Sequence, residues 1–218
     1  MAPTRRLVLT SRSEGPLQAL ADELAATAIA GDVTDPKTLA RCVEAGEGFS
    51  GVVANAGIMP IAPIGQAGVD DWNDTVQVNL MGVLRTVHAV LPDFVDGGDV
   101  VVMSSVAGRS AFPSAAVYSA TKAAVSMFAE GLRGETAAAM KHGGPAIRVT
   151  TVLPGAVDTA LPASIRDDAT RAGTEVYYRD LPQVLLAEDV AEAVAFALEQ
   201  PRRVSINEIV IRPTGMVR

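Results

Sequence analysis

Apolar positions along this chain follow two alternating patterns. In the first, short runs are apolar or small at nearly every position: "RRLVLTSR" (5–12), "TAIAGDV" (27–33), "GVVANAG" (51–57), "DVVVMSS" (99–105), "AIRVTTVLPG" (146–155) and "NEIVIRP" (207–213). Runs of this kind predict short strands buried on both faces. In the second, apolar residues recur every three or four positions over 16–26, 36–45, 70–92, 115–141 and 187–200, which predicts amphipathic helices. Pro16 stands in the first turn of its helix, and Asp35 before Pro36 reads as an N-cap followed by proline at the first helical position. Strand and helix alternate throughout, so the expectation is a doubly wound parallel α/β sheet with helices on both faces, in a single domain over residues 1–218. Residues from Ala156 to about Leu185 show neither pattern. They are expected to be an irregular segment, too long for a simple connector and placed to carry binding function.

One stretch, "GEGFSG" (Gly46–Gly51), matches the dinucleotide fingerprint G-x-G-x-x-G letter for letter. The fingerprint works only where a strand leads into the glycine turn and a helix N-terminus leaves it. Here a helical pattern precedes the glycines and a strand follows them, so the stretch is expected to be a helix-to-strand loop.

Composition narrows the class. Of 218 residues, 49% are hydrophobic and only 4% aromatic, as suits a Val/Ile-lined parallel sheet covered by Ala-rich helices. A net charge of −7 without basic clusters argues against nucleic-acid binding. The single cysteine, Cys42, excludes an internal disulfide, and His88 and His142 are not spaced as metal ligands. No apolar run is long enough to span a membrane and no secretory leader opens the chain, so a soluble, cytoplasmic protein is expected.

The candidate chemistry lies in "YSATK" (118–122), which puts Tyr118 and Lys122 four apart on one helix face. An ammonium beside a phenol favours the phenolate, so Lys122 is expected to lower the Tyr118 pKa and fit it for proton transfer. Ser105 ends the preceding strand, at the carboxyl edge where open parallel sheets bind ligands. Asn79 is a polar residue inside the apolar helical pattern "VQVNLMGV", placed there either for function or to satisfy local backbone.

In their order, "GDVTD" (31–35), "ANAG" (54–57), "VNLMG" (78–82), "SSVAG" (104–108), "YSATK" (118–122), "PGAVDT" (154–159) and "NEIVIRPT" (207–214) resemble the short-chain dehydrogenase/reductase family over essentially the whole chain. The resemblance implies a Rossmann-like three-layer αβα fold and reversible reduction of a carbonyl to an alcohol on a small-molecule substrate. It makes Tyr118 the proton donor and acceptor, and Ser105 the group that orients the carbonyl. Lys122 would hold the nicotinamide ribose and tune Tyr118, and Asn79 would hold a relay water. Asp32 and Val33 would line the adenine, and Asn55, Ala56 and Gly57 would pass close to the cofactor. Pro154, Gly155, Val157 and Thr159 would place the carboxamide. It also implies a homodimer or homotetramer. Arg12 follows the strand whose end selects the cofactor, and no acid stands at that strand's tip. NADP is therefore expected rather than NAD. Tyr177 and Tyr178 are candidates for lining the substrate pocket.

The family pattern opens with a strand, a glycine-rich turn and a helix, and that unit has no counterpart here. The segment "LVLTSRSEGPLQALADEL" (7–24) holds only Gly15 and cannot form such a turn. An incorrect start site, a truncated product and a natural loss of cofactor binding all account for this. Without the unit, its neighbouring strands are expected either to pair directly or to leave the sheet split. Two alternatives to an oxidoreductase therefore stand: a non-catalytic family member that binds no dinucleotide, and a cofactor-independent lyase or cyclase using Ser105 and Tyr118.

Overall fold

The structure, a computed structural model, describes residues 6–216, without the side chains of residues 95 and 96; Arg5 of the first expected strand lies outside the described residues. Among the described residues six strands form: β1 (Val8–Ser11), β2 (Thr27–Ala30), β3 (Phe49–Ala54), β4 (Phe94–Met103), β5 (Ile147–Pro154) and β6 (Glu208–Ile211). Seven α-helices accompany them: α1 (Glu14–Leu24), α2 (Pro36–Gly46), α3 (Val69–Val76), α4 (Val83–Val90), α5 (Ala116–Lys141), α6 (Asp168–Asp180) and α7 (Ala187–Glu199). Every strand pairing is parallel.

The central strand β4 shows why the apolar runs are continuous. Val100 and Val102 pack with Val83, Val87, Val125 and Ala129 of α4 and α5, whereas Val101 and Met103 pack with Val190 of α7. Because successive side chains point to opposite faces, a strand covered on both sides needs an apolar residue at each position. On α5, Tyr118, Lys122, Val125, Ala129, Leu132 and Thr136 are buried, which is one stripe at helical spacing.

The sheet is split. β1 pairs only with β2, while β3, β4, β5 and β6 form a second sheet in that order. Among the described residues, no strand bonds the free edges of β1 and β3. The two sheets are joined through helices: α2 packs on β1 and β2 and also on α4, which covers β3. Arg85 on α4 adds a bond to the Thr34 carbonyl at 3.0 Å. Of the two outcomes expected for the chain, it is the open split that forms.

Two local features were foreseen. Asp35 caps α2, its carboxylate accepting the Lys37 N–H at 3.0 Å, with Pro36 in the first turn. "GEGFSG" is a helix-to-strand turn in which Gly46 ends α2, Glu47 and Gly48 take φ of 50° and 96°, and Phe49 starts β3. Two were not. Residues 156–185 are not irregular throughout, since they include α6. The long helix over 70–92 is interrupted by a π-helical turn at Gln77–Gly82.

Candidate active site

The carboxyl ends of β4 and β5 and the first turns of α5 meet at one place. Ser105 follows β4 and caps a short 3₁₀ turn (Val106–Gly108), its Oγ accepting the Ala107 N–H at 3.1 Å. The same Oγ reaches the Pro154 carbonyl at the end of β5, at 3.4 Å. That turn lies against α5 because residue 108 is glycine: a Cβ there would stand 2.8 Å from the Lys122 carbonyl carbon. Ser105 is thereby held beside Tyr118, close enough to favour ionisation of its phenol. The Lys122 Nζ donates to the Met103 carbonyl at 2.8 Å and lies 5.8 Å from the Tyr118 ring centre. Ser105, Tyr118 and Lys122 are therefore together, as expected from the sequence.

Neighbouring hydroxyls tie down the backbone around Lys122. Ser104 Oγ and Ser126 Oγ both donate to the Lys122 carbonyl, at 2.8 and 3.0 Å. The Thr121 hydroxyl donates to the Tyr118 carbonyl at 2.7 Å. Ser104, the first serine of "SSVAG", and Thr121, inside "YSATK", lie within motifs; a helical serine such as Ser126 has no signal in the sequence.

Asn79 sits within the π-helical turn and is fully buried. Its Oδ1 accepts the Ile58 N–H at 2.8 Å, and its amide donates to the Ile58 carbonyl at 2.9 Å and to Thr121 at 3.4 Å. Asn79 thus clamps the backbone just past β3 to α5, and π turns recur where helices bend around functional sites. Between Asn79 and Lys122 lies Gly57. A Cβ at this position would be in ordinary contact with both, 3.4 Å from Asn79 Oδ1 and 3.6 Å from Lys122 Nζ. The glycine leaves a methyl-sized polar space beside an ammonium that uses one of its three donors on Met103.

Burial governs the ionisation of the pair. Desolvation pushes Tyr118 up to about 12, with Ser105 opposing and the nearby Tyr178 adding to the rise. Burial pushes Lys122 down to about 8. The expected lowering of the Tyr118 pKa by Lys122 is thus not the net result. A phenol enclosed by apolar side chains loses more by charging than its surroundings return.

The other candidates lie along the same edge. Asn55 and Ala56 are exposed just past β3, while Pro154, Gly155 and Val157 are half-buried and Thr159 is exposed after β5. Arg12 follows β1 and Asp32 follows β2. Burial resists ionisation of Asp32, but bonds from Thr34 and the charge of Arg12 outweigh it and hold the carboxyl below its ordinary value. Val33 touches Gly82 of the π turn, 3.1 Å from where a Cβ would stand. Tyr177 and Tyr178 lie on α6 with ring centres 6.0 Å apart; Tyr178 is half-buried near Tyr118 and Tyr177 is exposed. Among the described residues, no His, Cys, Asp and Glu side chains are grouped to hold a metal, and no helix is long and apolar enough to cross a membrane.

Residues 2–170 match the family model described as short chain dehydrogenase. The chain belongs to the short-chain dehydrogenase/reductase family, on a Rossmann-like α/β fold. An uncharacterized oxidoreductase of Listeria monocytogenes is 38% identical over 166 residues, which are 75% of this chain and 64% of that protein. The chain thus spans less than two thirds of that relative's length. An uncharacterized oxidoreductase of Staphylococcus aureus is 34% identical over 217 residues, covering 95% of this chain and 86% of the relative. Among solved structures, a closed form of serine dehydrogenase complexed with NADP+ superposes with a TM-score of 0.87 at 29% identity, covering 99% of this chain and 88% of that one. Serine dehydrogenase from Escherichia coli gives 0.80 at 27% identity, covering 99% and 89%.

Proposed function

We propose that this protein is an NADP-dependent oxidoreductase that interconverts a carbonyl and an alcohol on a small molecule, with Tyr118 moving the proton. The meeting of Ser105, Tyr118 and Lys122 beyond the sheet carries this reading. A substrate oxygen within reach of both Ser105 and Tyr118 is held by the serine hydroxyl and receives the tyrosine proton. A phenol is protonated at neutral pH with or without burial, so Tyr118 holds a proton to give; burial makes it the weaker acid, which Ser105 and Lys122 oppose by stabilising the phenolate. The buried ammonium of Lys122 stabilises the phenolate left behind, which matters most in so dry a surrounding.

The residues present fit one end of the cofactor better than the other. The missing side chain at Gly57 would let a single ribose hydroxyl approach the donors that Lys122 does not use on Met103. Pro154, Gly155, Val157 and Thr159 would flank the nicotinamide, and Asn55 and Ala56 would line its approach. Asp32 and Val33 would take the adenine, with Arg12 meeting a 2′-phosphate. When bound, the nicotinamide supplies or accepts the hydride. The pyrophosphate is served less well, because no glycine turn leads into a helix N-terminus among the described residues, and the free edges of β1 and β3 stand where such a turn belongs. NADP as the relative's ligand supports the choice of cofactor, as does the absence of an acid at the tip of β1.

The test is titration with NADPH and NADH, followed by alcohol-oxidation assays on the chain and on Tyr118→Phe. NADPH is expected to bind more tightly than NADH. The variant is expected to lose activity by about 10²–10⁴-fold with an unchanged circular dichroism spectrum. Near-normal turnover in Tyr118→Phe would sink the proton-donor role. The split sheet favours a second reading, a family member that binds no dinucleotide. Failure to bind either cofactor would establish that reading for this polypeptide.

A further inference from the structure

The segment between β5 and α6 is fastened over Tyr118 at three successive residues. Ser164 Oγ accepts the Met59 N–H at 2.7 Å and donates to the Leu161 carbonyl at 2.7 Å. Ile165 is 1% exposed and packs in a cluster with Met59, Ile61, Ala107, Ala115 and Tyr118. Arg166 opens its guanidinium fork across two carboxylates one turn apart on α3: Nη1 bonds Asp71, and Nη2 bonds Asp74 at 2.6 Å. Beyond it, Asp167 caps α6 by accepting the Thr170 N–H at 2.8 Å, and Arg171 bonds the Ile165 carbonyl at 3.1 Å.

These fastenings differ in kind. Ile165 is held by apolar burial, which salt does not weaken. The Arg166 side chain is 55% exposed and its pairing with Asp74 is open to solvent, while the Asp71 side chain is more enclosed. Solvated ion pairs contribute little to global stability and are screened by salt. They can still bias a local opening, since a covering segment separates at a fraction of the cost of unfolding. A lysine could not replace the fork, because one ammonium does not bridge two carboxylates in a fixed plane.

We propose that Arg166 is a positioning residue: by clasping Asp71 and Asp74 it holds Ile165 on Tyr118, and so sets the dryness of the proton-transfer site in a salt-sensitive way. Its bearing on turnover rests on the role given above to Tyr118; the clasp itself does not.

Hydrogen exchange on the ligand-free chain tests the clasp. In Arg166→Gln, amides of residues 161–181 are expected to exchange about tenfold faster, while those of β4 and β5 keep their rates. Wild-type chain in 1 M NaCl should move the same way, by analogy with screening over ~3 Å. The Asp71→Asn/Asp74→Asn variant should match Arg166→Gln, and combining all three changes should add nothing further. Arg166→Lys should recover only part of the protection. Tyr118 itself is read by NMR of ring-labelled tyrosine, with Lys122 and Tyr178 left as its neighbours. Its phenol should ionise at lower pH in Arg166→Gln, because burial is what holds it near 12. Unchanged exchange and an unchanged Tyr118 titration would overturn the proposal. So would a uniform rise in exchange with a lowered melting temperature, which would mark Arg166 as a general support of the fold. None of these readouts needs turnover. Activity retained in Tyr118→Phe would therefore sink the catalytic reading and leave the clasp standing, and the converse also holds.

Discussion

Tyr118 and Lys122 were legible as a pair because four residues separate like-facing positions on any helix. Their ionisation was not legible, because it depends on what surrounds them in space. A measurable consequence follows from linkage. Lys122 titrates at about 8 in the folded chain against an ordinary 10.5, so between those values the unfolded chain holds more protons and folding gains as pH rises. The penalty of burying the ammonium is complete below pH 8 and is lifted above it. Tyr118, at about 12 against an ordinary 10.0, acts in the opposite sense: the folded chain holds more protons between those values, and stability falls as pH rises through them. Urea unfolding of the chain and of Lys122→Met from pH 7 to 10 should show the wild type gaining on the variant above pH 8. A constant difference between the two would refute the lowered lysine. Gly57 and Gly108 belong to the same scale. "ANAG" and "SSVAG" displayed both glycines, but only the packing shows that one leaves room beside Lys122 and the other lets a turn touch α5.

At the scale of elements, periodicity located the buried helices well. The expected 115–141 compares with an observed Ala116–Lys141, and 36–45 with Pro36–Gly46. α6 was missed because no residue in it is buried and it has no apolar stripe to detect. It is held instead by the Asp167 cap and the neighbouring Asp168–Arg171 ion pair. The π turn was missed because its sequence is ordinarily helical, and what accompanies it is the tertiary clamp of Asn79 on Ile58. A second tertiary device joins strands to a helix end. On β5, buried Arg148 pairs with both oxygens of Asp99 on β4, at 2.6 and 3.1 Å. It also donates to the carbonyls of Leu198, Gln200 and Val204 at the end of α7, at 3.1, 2.7 and 3.0 Å. Removing a buried partner of this kind strands a charge, so Arg148→Ala should cost about 3–5 kcal/mol in urea unfolding. A loss under about 1 kcal/mol, as for an exposed pair, would show that Arg202, which also bonds Asp99 at 3.3 Å, takes over.

For the whole molecule, the split sheet is the decisive feature. Among the described residues no strand pairs with the outer edges of β1 and β3, and an open edge invites association with other strands. Val53 lies in register with Val101, which packs toward α7, yet Val53 is 45% exposed while Val101 is fully buried. A charge on that exposed position should blunt the edge without touching Ser105, Tyr118 or Lys122. In light scattering, Val53→Lys should lower concentration-dependent association, with far-UV circular dichroism unchanged. Equal association in both proteins would place the contact elsewhere.

Strand and helix alternation, the parallel sense of the sheet and the placing of Ser105 and Tyr118 at one edge followed from the sequence, because side-chain periodicity and crossover handedness are local or nearly local constraints. The sequence also marked the glycine pattern at 46–51 as misplaced, through the order of elements around it. Only the tertiary structure decided how the sheet divides, how Asn79 and Arg166 are engaged, and which way the Tyr118 and Lys122 pKa values move. Each of these depends on partners distant in the chain, and on water being excluded by surfaces that meet only when the chain is folded.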